Sequence, residues 1–352
     1  MARLGIIGTG WGLRAQAPGF RTAGLEIVAI AGRDLEKTKA AAEKLEGVRA
    51  TSNWREIVEA DDIDLVSIVT PPDLHLEMTL AGLKNGKHIL CEKPNALDVA
   101  ETRAMIDAAR QLPDRITIID HELRFLPSHL EALRRMPELG PIRYAEARYS
   151  SPGRADRTRP WNWWSNRDQG GGIWGAVGSH LVDTLRRLIG EVDSVQGQLN
   201  TFVAQRPFDG KTRAVTSDDH ASVRLRFQNN AIATLSMSAV AGVDEPTTFT
   251  IHGEAGSMRL VSETLLLSNQ QGWEEIPVAA AARVSGDSAG GYFGSGTIHL
   301  GRAIAVALDR GERAALAHAA SFDDGAAVQR VLDAARESNI RGGAWQKLDS
   351  IS

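Results

Sequence analysis

The feature that most constrains this chain lies near its start, where Gly8-Thr9-Gly10-Trp11-Gly12 follows directly on the apolar run 4–7 and opens a helical pattern. A backbone without β-carbons at such a turn can approach a diphosphate, and the N-terminus of the helix that follows stabilises its charge. Position carries the argument. A GxG elsewhere is an ordinary glycine turn, whereas one set between a first strand and a helix implies a βαβ unit that binds a dinucleotide. Leu13 stands where the full fingerprint has its third glycine, and Pro18 interrupts the first helix, so the packing and straightness of that helix should depart from the standard pattern.

The rest of the first third has the rhythm such a unit requires. Apolar runs at 4–7, 26–31, 65–70, 88–91 and 116–120 alternate with segments 34–45, 54–59, 74–84 and 98–110, whose apolar residues recur at helical spacing, with Asn53 placed to cap the second of these. The runs are continuously apolar, as expected of parallel strands covered on both faces. Residues 1–123 are therefore expected to form a doubly wound α/β Rossmann domain. Past Phe125 a helix at 128–136 leads into alternating runs at 143–149, 222–227, 231–238 and 247–252. Asn229-Asn230 and Gly253-Glu254-Ala255-Gly256 supply hairpin turns, and a flexible loop is expected from 279 to 291. Residues 124–352 are expected to form an α+β domain, an open-faced, mostly antiparallel sheet with covering helices. At 352 residues, two domains with a crevice between them suit the length.

Composition narrows the partners. A net charge of −4 without a clustered basic run gives no footprint for nucleic acid. The single cysteine, Cys91, allows neither an intrachain disulfide nor a cysteine zinc cage, and the histidines and carboxylates show no ligand spacing, so no metal is expected. The first residues lack the pattern of a signal peptide and no apolar run reaches ~18 residues, so a cytoplasmic protein is expected. For the cofactor, an acid about 20 residues beyond the glycines would bind a ribose 2′-hydroxyl. Here the second strand ends Ala31-Gly32-Arg33-Asp34, with glycine in the acid's place and a guanidinium beside it. NADP is thereby slightly favoured over NAD, with Asp34 left either to contribute or to cap the next helix.

Three further segments point to one family: Thr70-Pro71-Pro72 with His75, Glu92-Lys93-Pro94, and Gly170-Gly171-Gly172 followed by Gly178-Ser179-His180-Leu181-Val182-Asp183. Together with the glycine loop, and with the late Ser321-Phe322-Asp323-Asp324-Gly325 helix start, they resemble the glucose-fructose oxidoreductase/inositol dehydrogenase/MocA family over nearly the whole chain. The resemblance implies NAD(P)-dependent oxidation or reduction of sugars or cyclitols and frequent homo-oligomerisation, as dimer or tetramer, through the sheet. It also implies that Lys93 and His180 lie beside the reacting carbon. Gly8, Thr9, Gly10, Trp11, Gly12, Arg33, Thr70, Pro71, Glu92 and Lys93 are read as contacts to the cofactor. His75 is read either as such a contact or as a structural residue.

The residue chemistry supports the same roles. Hydride transfer from a secondary alcohol needs a base for the hydroxyl proton, which suits His180, and a cation near the oxygen, which suits Lys93 at a strand's carboxyl end. Asp183, three residues after His180, shares its helix face and either orients the imidazole or meets substrate hydroxyls. Family dehydrogenases commonly carry an aspartate four residues before this histidine, and here that position is Ala176. His121 could substitute, and with Arg124 it is a candidate for binding substrate. Trp161 and Trp164, near Trp163 and Trp174, are candidates for stacking on a sugar face or for anchoring a loop. Two other functions stay open: a glycosidase with tightly bound NAD working by oxidation, elimination, addition and reduction, kept alive by Ala176, and a non-catalytic cofactor sensor.

Overall fold

The computed structural model describes residues 1–268, 272–280 and 291–348, which divide into two compact units. The first comprises Met1–Ala96, Ala100–Leu126 and the described part of Ala280–Ala326; the second comprises Leu97–Val99, Pro127–Ala279 and the described part of Ala327–Ser352.

In the first unit, β1 (Arg3–Ile7), β2 (Glu26–Ala31), β3 (Arg49–Thr51), β4 (Leu65–Ile68), β5 (His88–Cys91) and β6 (Thr117–Ile119) form a parallel sheet in the order β3-β2-β1-β4-β5-β6. The two-residue strand Ala320–Ser321 adds antiparallel to β6. The chain order reverses between β1 and β4, and ligands of doubly wound sheets sit outside the carboxyl ends of the strands at that point. The apolar strands cover both faces because neighbouring residues point opposite ways. Ile7, Val66, Ile68 and Ile89 belong to one core, while Leu4, Ile6, Leu65 and Leu90 belong to the other. Only β3, short and half-exposed, lacks the apolar run by which the sequence announces its neighbours.

The helices α1 (Ala17–Ala23), α2 (Leu35–Ala42), α3 (Arg55–Glu59), α4 (His75–Lys84) and α5 (Val99–Arg110) lie where periodicity places them. Asn53 starts α3 by accepting the Arg55 amide at 3.2 Å. The domain division differs from a single cut after residue 123, because the helix Gly291–Asp309 packs with the first unit. Its Leu300, Ile304 and Ala307 complete the core against Leu4, Phe20 and Ile30. Close approach explains Gly301, whose β-carbon would lie 2.8 Å from a ring carbon of Phe20. Without this helix one face of the sheet would lose apolar cover at ~25 cal/mol per Å².

The second unit is built on β7 (Ile142–Ser150), β8 (Val192–Asn200), a hairpin of β9 (Gln205–Phe208) and β10 (Lys211–Ala214), then β11 (His220–Phe227), β12 (Ile232–Ser238), β13 (Glu245–Gly253), β14 (Ser257–Val261), β15 (Thr264–Ser268) and β16 (Trp273–Ile276). The main sheet runs β16-β15-β14-β13-β7-β12-β11-β8, with Gln346–Lys347 at its edge, and is antiparallel except between β7 and β12. Asn230, at φ 69°, turns β11 into β12, and Gly253-Glu254-Ala255-Gly256 turns β13 into β14. The Asp209-Gly210 turn of the β9–β10 hairpin, with both residues at positive φ, went unnoticed in the sequence despite its strong chemistry.

Alternation along these strands buries one face beneath α6 (Pro127–Arg135), α7 (Ser179–Ile189) and the later turns of Phe322–Ile340. The other face carries Glu146, Arg148, Gln196 and Arg224 around a cavity of about 570 Å³. The loop expected at 279–291 falls almost wholly outside the described residues. Among those residues no helix is long and apolar enough to cross a membrane, and no cluster of His, Cys, Asp and Glu suits a metal ion.

Candidate functional site

In the first unit the glycine loop joins β1 to α1. Gly8 has φ 126°, and a β-carbon there would sit 2.2 Å from the Val69 carbonyl oxygen, while one at Gly12 would sit 2.9 Å from Ile6 Cγ2. Both glycines are therefore required by close packing of the turn. Gly10 differs, since no atom lies within 4 Å of its would-be β-carbon. The loop is thus anchored at its ends and open in the middle, the shape that lets main-chain amides approach a diphosphate, so these residues fit a dinucleotide. Trp11 is fixed edge-on to Phe293 at 6.4 Å.

At the end of β2, a β-carbon on Gly32 would lie 2.3 Å from Thr38 Oγ1 and 2.4 Å from Thr9 Cγ2. The usual acid has no room here, which is a packing reason for its absence. Asp34 caps α2, accepting the Lys37 amide at 3.1 Å, and that contact holds its carboxyl below the usual range. Arg33 is exposed beside it.

Beyond β4, His75 is fully buried, with Nε2 2.9 Å from the Thr70 carbonyl and Nδ1 3.1 Å from that of Pro94. Burial lowers it to about 4, and the neutral ring, whose one N–H can donate to only one of these carbonyls, sits between the Thr70-Pro71 turn and the Lys93–Pro94 turn, whose peptide bond is cis. Both ring nitrogens face main chain, which makes His75 a structural residue of the site. Lys93 is half-buried at the carboxyl end of β5, on the same sheet edge as the glycine loop, Thr70, Pro71 and His121.

Glu92 and Asp120 are buried next to this edge, bridged by the Gln16 amide, whose Nε2 donates to Glu92 Oε1 at 3.0 Å and to Asp120 Oδ2 at 2.7 Å. Ser67 completes the group by donating to Gln16 Oε1 at 2.6 Å. Neither Gln16 nor Asp120 stood out in the sequence. Only their positions, on the helical turn leading into α1 and at the end of a strand, could have hinted at them.

Arg124, expected among the substrate contacts, has a structural task. Its buried guanidinium pairs with both carboxylate oxygens of Asp324, at 3.1 and 3.2 Å. Asp324 also caps its own helix, accepting the Ser321 amide at 2.9 Å while Ser321 Oγ accepts the Asp324 amide at 3.1 Å. A fork used on both prongs by one carboxylate has little left for a sugar.

In the second unit, α7 is amphipathic and buried, with His180 and Asp183 both 2% exposed. The glycines before it serve packing. A β-carbon on Gly171 would lie 2.5 Å from the Trp163 carbonyl oxygen, and one on Gly178 would lie 2.4 Å from the Trp174 ring. Asp218 holds the start of this segment, accepting the Trp174 amide at 2.6 Å, and desolvation pushes its carboxyl up to about 6. Position 176 presents only a methyl group at the half-buried Ala176.

Trp161 does not present a free sugar platform, because Arg213 stacks 3.7 Å from its ring centre, Phe208 meets its edge, and its indole N–H donates to the Ala214 carbonyl at 3.0 Å. It anchors the β9–β10 hairpin. Trp164 lies under the Arg154 guanidinium at 4.9 Å and packs against the main core.

Residues 2–119 match the model described as an oxidoreductase family with an NAD-binding Rossmann fold, and residues 129–259 match the GFO/IDH/MocA C-terminal domain. An oxidoreductase of Synechocystis is 32% identical over 74% of this chain and 71% of its own. Levoglucosan dehydrogenase of Pseudarthrobacter phenanthrenivorans is 30% identical over 72% of this chain and 67% of its own. A solved structure of levoglucosan dehydrogenase with NADH and levoglucosan superposes with a TM-score of 0.86 at 26% identity, covering 99% of this chain and all of that one.

Proposed function

Because the chain belongs to the glucose-fructose oxidoreductase/inositol dehydrogenase/MocA family of oxidoreductases, we propose that it transfers a hydride between a nicotinamide dinucleotide and a secondary alcohol or ketone of a sugar, sugar derivative or cyclitol. The observation that carries the reading is Lys93, presented by the turn after β5 on the sheet edge where Gly8–Gly12 form an open-centred cradle. The cradle binds the diphosphate through main-chain amides. The bound cofactor supplies the hydride acceptor or donor. Lys93 stabilises negative charge developing on the substrate oxygen, and His180 takes or returns the hydroxyl proton. Thr9, Thr70, Pro71 and Trp11 shape the cofactor's surroundings, while His121 and Asp183 are assigned to the substrate.

NADP is favoured slightly over NAD. Gly32 leaves no side chain to repel a 2′-phosphate and Arg33 is free to meet one, although the levoglucosan dehydrogenase structure contains NADH. A cytoplasmic location, and a dimer or tetramer formed through the open sheet face, go with this reading. The oxidising glycosidase is a second reading favoured by one observation, the methyl group of Ala176 where a carboxylate is expected.

The test is a panel of sugars and cyclitols with NAD and NADP, preceded by mass spectrometry of any nucleotide released from the purified protein. Net reduction of cofactor supports the dehydrogenase, and aglycone release without it supports the glycosidase. Lys93→Met and His180→Ala should each lower kcat by about 10²–10⁴. Turnover that survives both substitutions refutes the assignment.

A further inference from the structure

Two carboxyl groups buried against each other cannot both be ionised without opposing charge or water. Glu92 is 7% exposed and Asp120 fully buried, and each lies at the carboxyl end of its strand. Their hydrogen-bond partners are unequal. Glu92 has a donor on each oxygen, Gln16 Nε2 on Oε1 and the Lys93 amide on Oε2 at 3.3 Å. Asp120 receives Gln16 on Oδ2, while its buried Oδ1 has no hydrogen-bond partner among the described residues, the neighbouring carboxyl of Glu92 being the group within its reach. Gln16 cannot help further, since both its amide protons go to the carboxyls and its oxygen is taken by Ser67.

We propose that Glu92 and Asp120 hold one proton between them, on Asp120, and that the resulting carboxylate of Glu92 positions the turn that presents Lys93. Asp120 is the donor because it is the carboxyl left without one. Glu92 is the carboxylate because it is the one that amides satisfy. The charges around the pair favour the same assignment. Lys93 faces Glu92, whereas Glu122, from the turn after β6, adds negative charge beside Asp120. His121 on that turn, Gln16 just before α1, Ser67 on β4 and the buried thiol of Cys91 complete the surroundings. Burial first, then the charge of its neighbours, raises Asp120 well above the usual carboxylate range, while Lys93 and the donors from Gln16 and its own turn moderate the rise at Glu92. In this arrangement both are positioning residues.

The functional part rests on the reading of Lys93 given above; the structural part does not. Infrared spectroscopy of the full-length protein near neutral pH should show a protonated-carboxyl carbonyl band, and Asp120→Asn should remove it. Hydrogen exchange of the peptide containing Lys93 should stay near wild type in Asp120→Asn, which keeps a neutral donor, and speed up about tenfold in Asp120→Ala, the factor expected for one hydrogen bond. With a substrate in hand, kcat should fall in Asp120→Ala with KM little changed, and recover toward wild type in Asp120→Asn. Absence of the carboxyl band, its survival in Asp120→Asn, or equal exchange in the Asn and Ala variants overturns the proposal. If no carbohydrate is turned over at all, the proposed function fails while the infrared and exchange results still decide this one. Both substitutions are small, and circular dichroism checks that each variant folds.

Discussion

Replacing Asp324 with Asn tests whether Arg124 is a structural cation. Burial works to raise the Asp324 carboxyl, yet the charge and hydrogen bonds of Arg124, with the Ser321 contacts, outweigh it and hold the group at about 2 instead of 3.8. At ~1.36 kcal/mol per tenfold in proton affinity, that difference corresponds to ~2.5 kcal/mol of stability at neutral pH. The carboxylate is 30% exposed and its partner guanidinium only 9%, so solvent screens the pair little, and the substitution takes the opposing charge of Asp324 away from a buried cation. Because the folded value is depressed, this stability is fully present above about pH 4 and is lost as pH falls toward about 2, with roughly half remaining at pH 3. Urea unfolding of wild type and Asp324→Asn, followed through the transition of the first unit because two units need not unfold together, should differ by ~2–3 kcal/mol at pH 7 and pH 5 and by about half that at pH 3. A difference below ~1 kcal/mol at pH 7, or one that does not shrink at pH 3, refutes the reasoning and returns Arg124 to the list of candidate substrate ligands.

Gly8→Ala places a methyl group on the Val69 carbonyl at a left-handed φ, so fluorescence titration should find dinucleotide affinity lost and thermal unfolding should register ~1–3 kcal/mol of strain. Arg33→Ala should weaken NADPH about tenfold in isothermal titration while leaving NADH nearly unchanged, since a single charge-assisted contact to a 2′-phosphate is removed; equal effects on both cofactors would exclude Arg33 from that role. Trp161→Ala should increase proteolytic nicking at the β9–β10 hairpin without raising KM for a substrate found in the panel, because its ring and N–H are engaged by Arg213 and Ala214. A selective rise in KM would restore the stacking role.

Much of this architecture is local in origin and so was legible. Gly8–Gly12 after an apolar run, strands without alternation in the first unit and with it in the second, and Asp34 poised to cap a helix all act through neighbouring residues, and the structure uses them in that way. Lys93 and His180 stand out as candidates because their motifs have fixed spacing and the elements that carry them are strongly patterned.

What the sequence by itself determined, then, is the identity and order of the elements and which strand ends carry polar chemistry, because hydrophobic period and turn residues act over a few positions. Only the tertiary structure decided what those polar groups do. Arg124 was given to Asp324, 200 residues away, the helix Gly291–Asp309 went to the first unit's core, and Gln16 was set between Glu92 and Asp120, 76 and 104 residues along the chain. Such pairings follow from which faces meet when cores close, and no short-range pattern records a partner that is brought near only by packing.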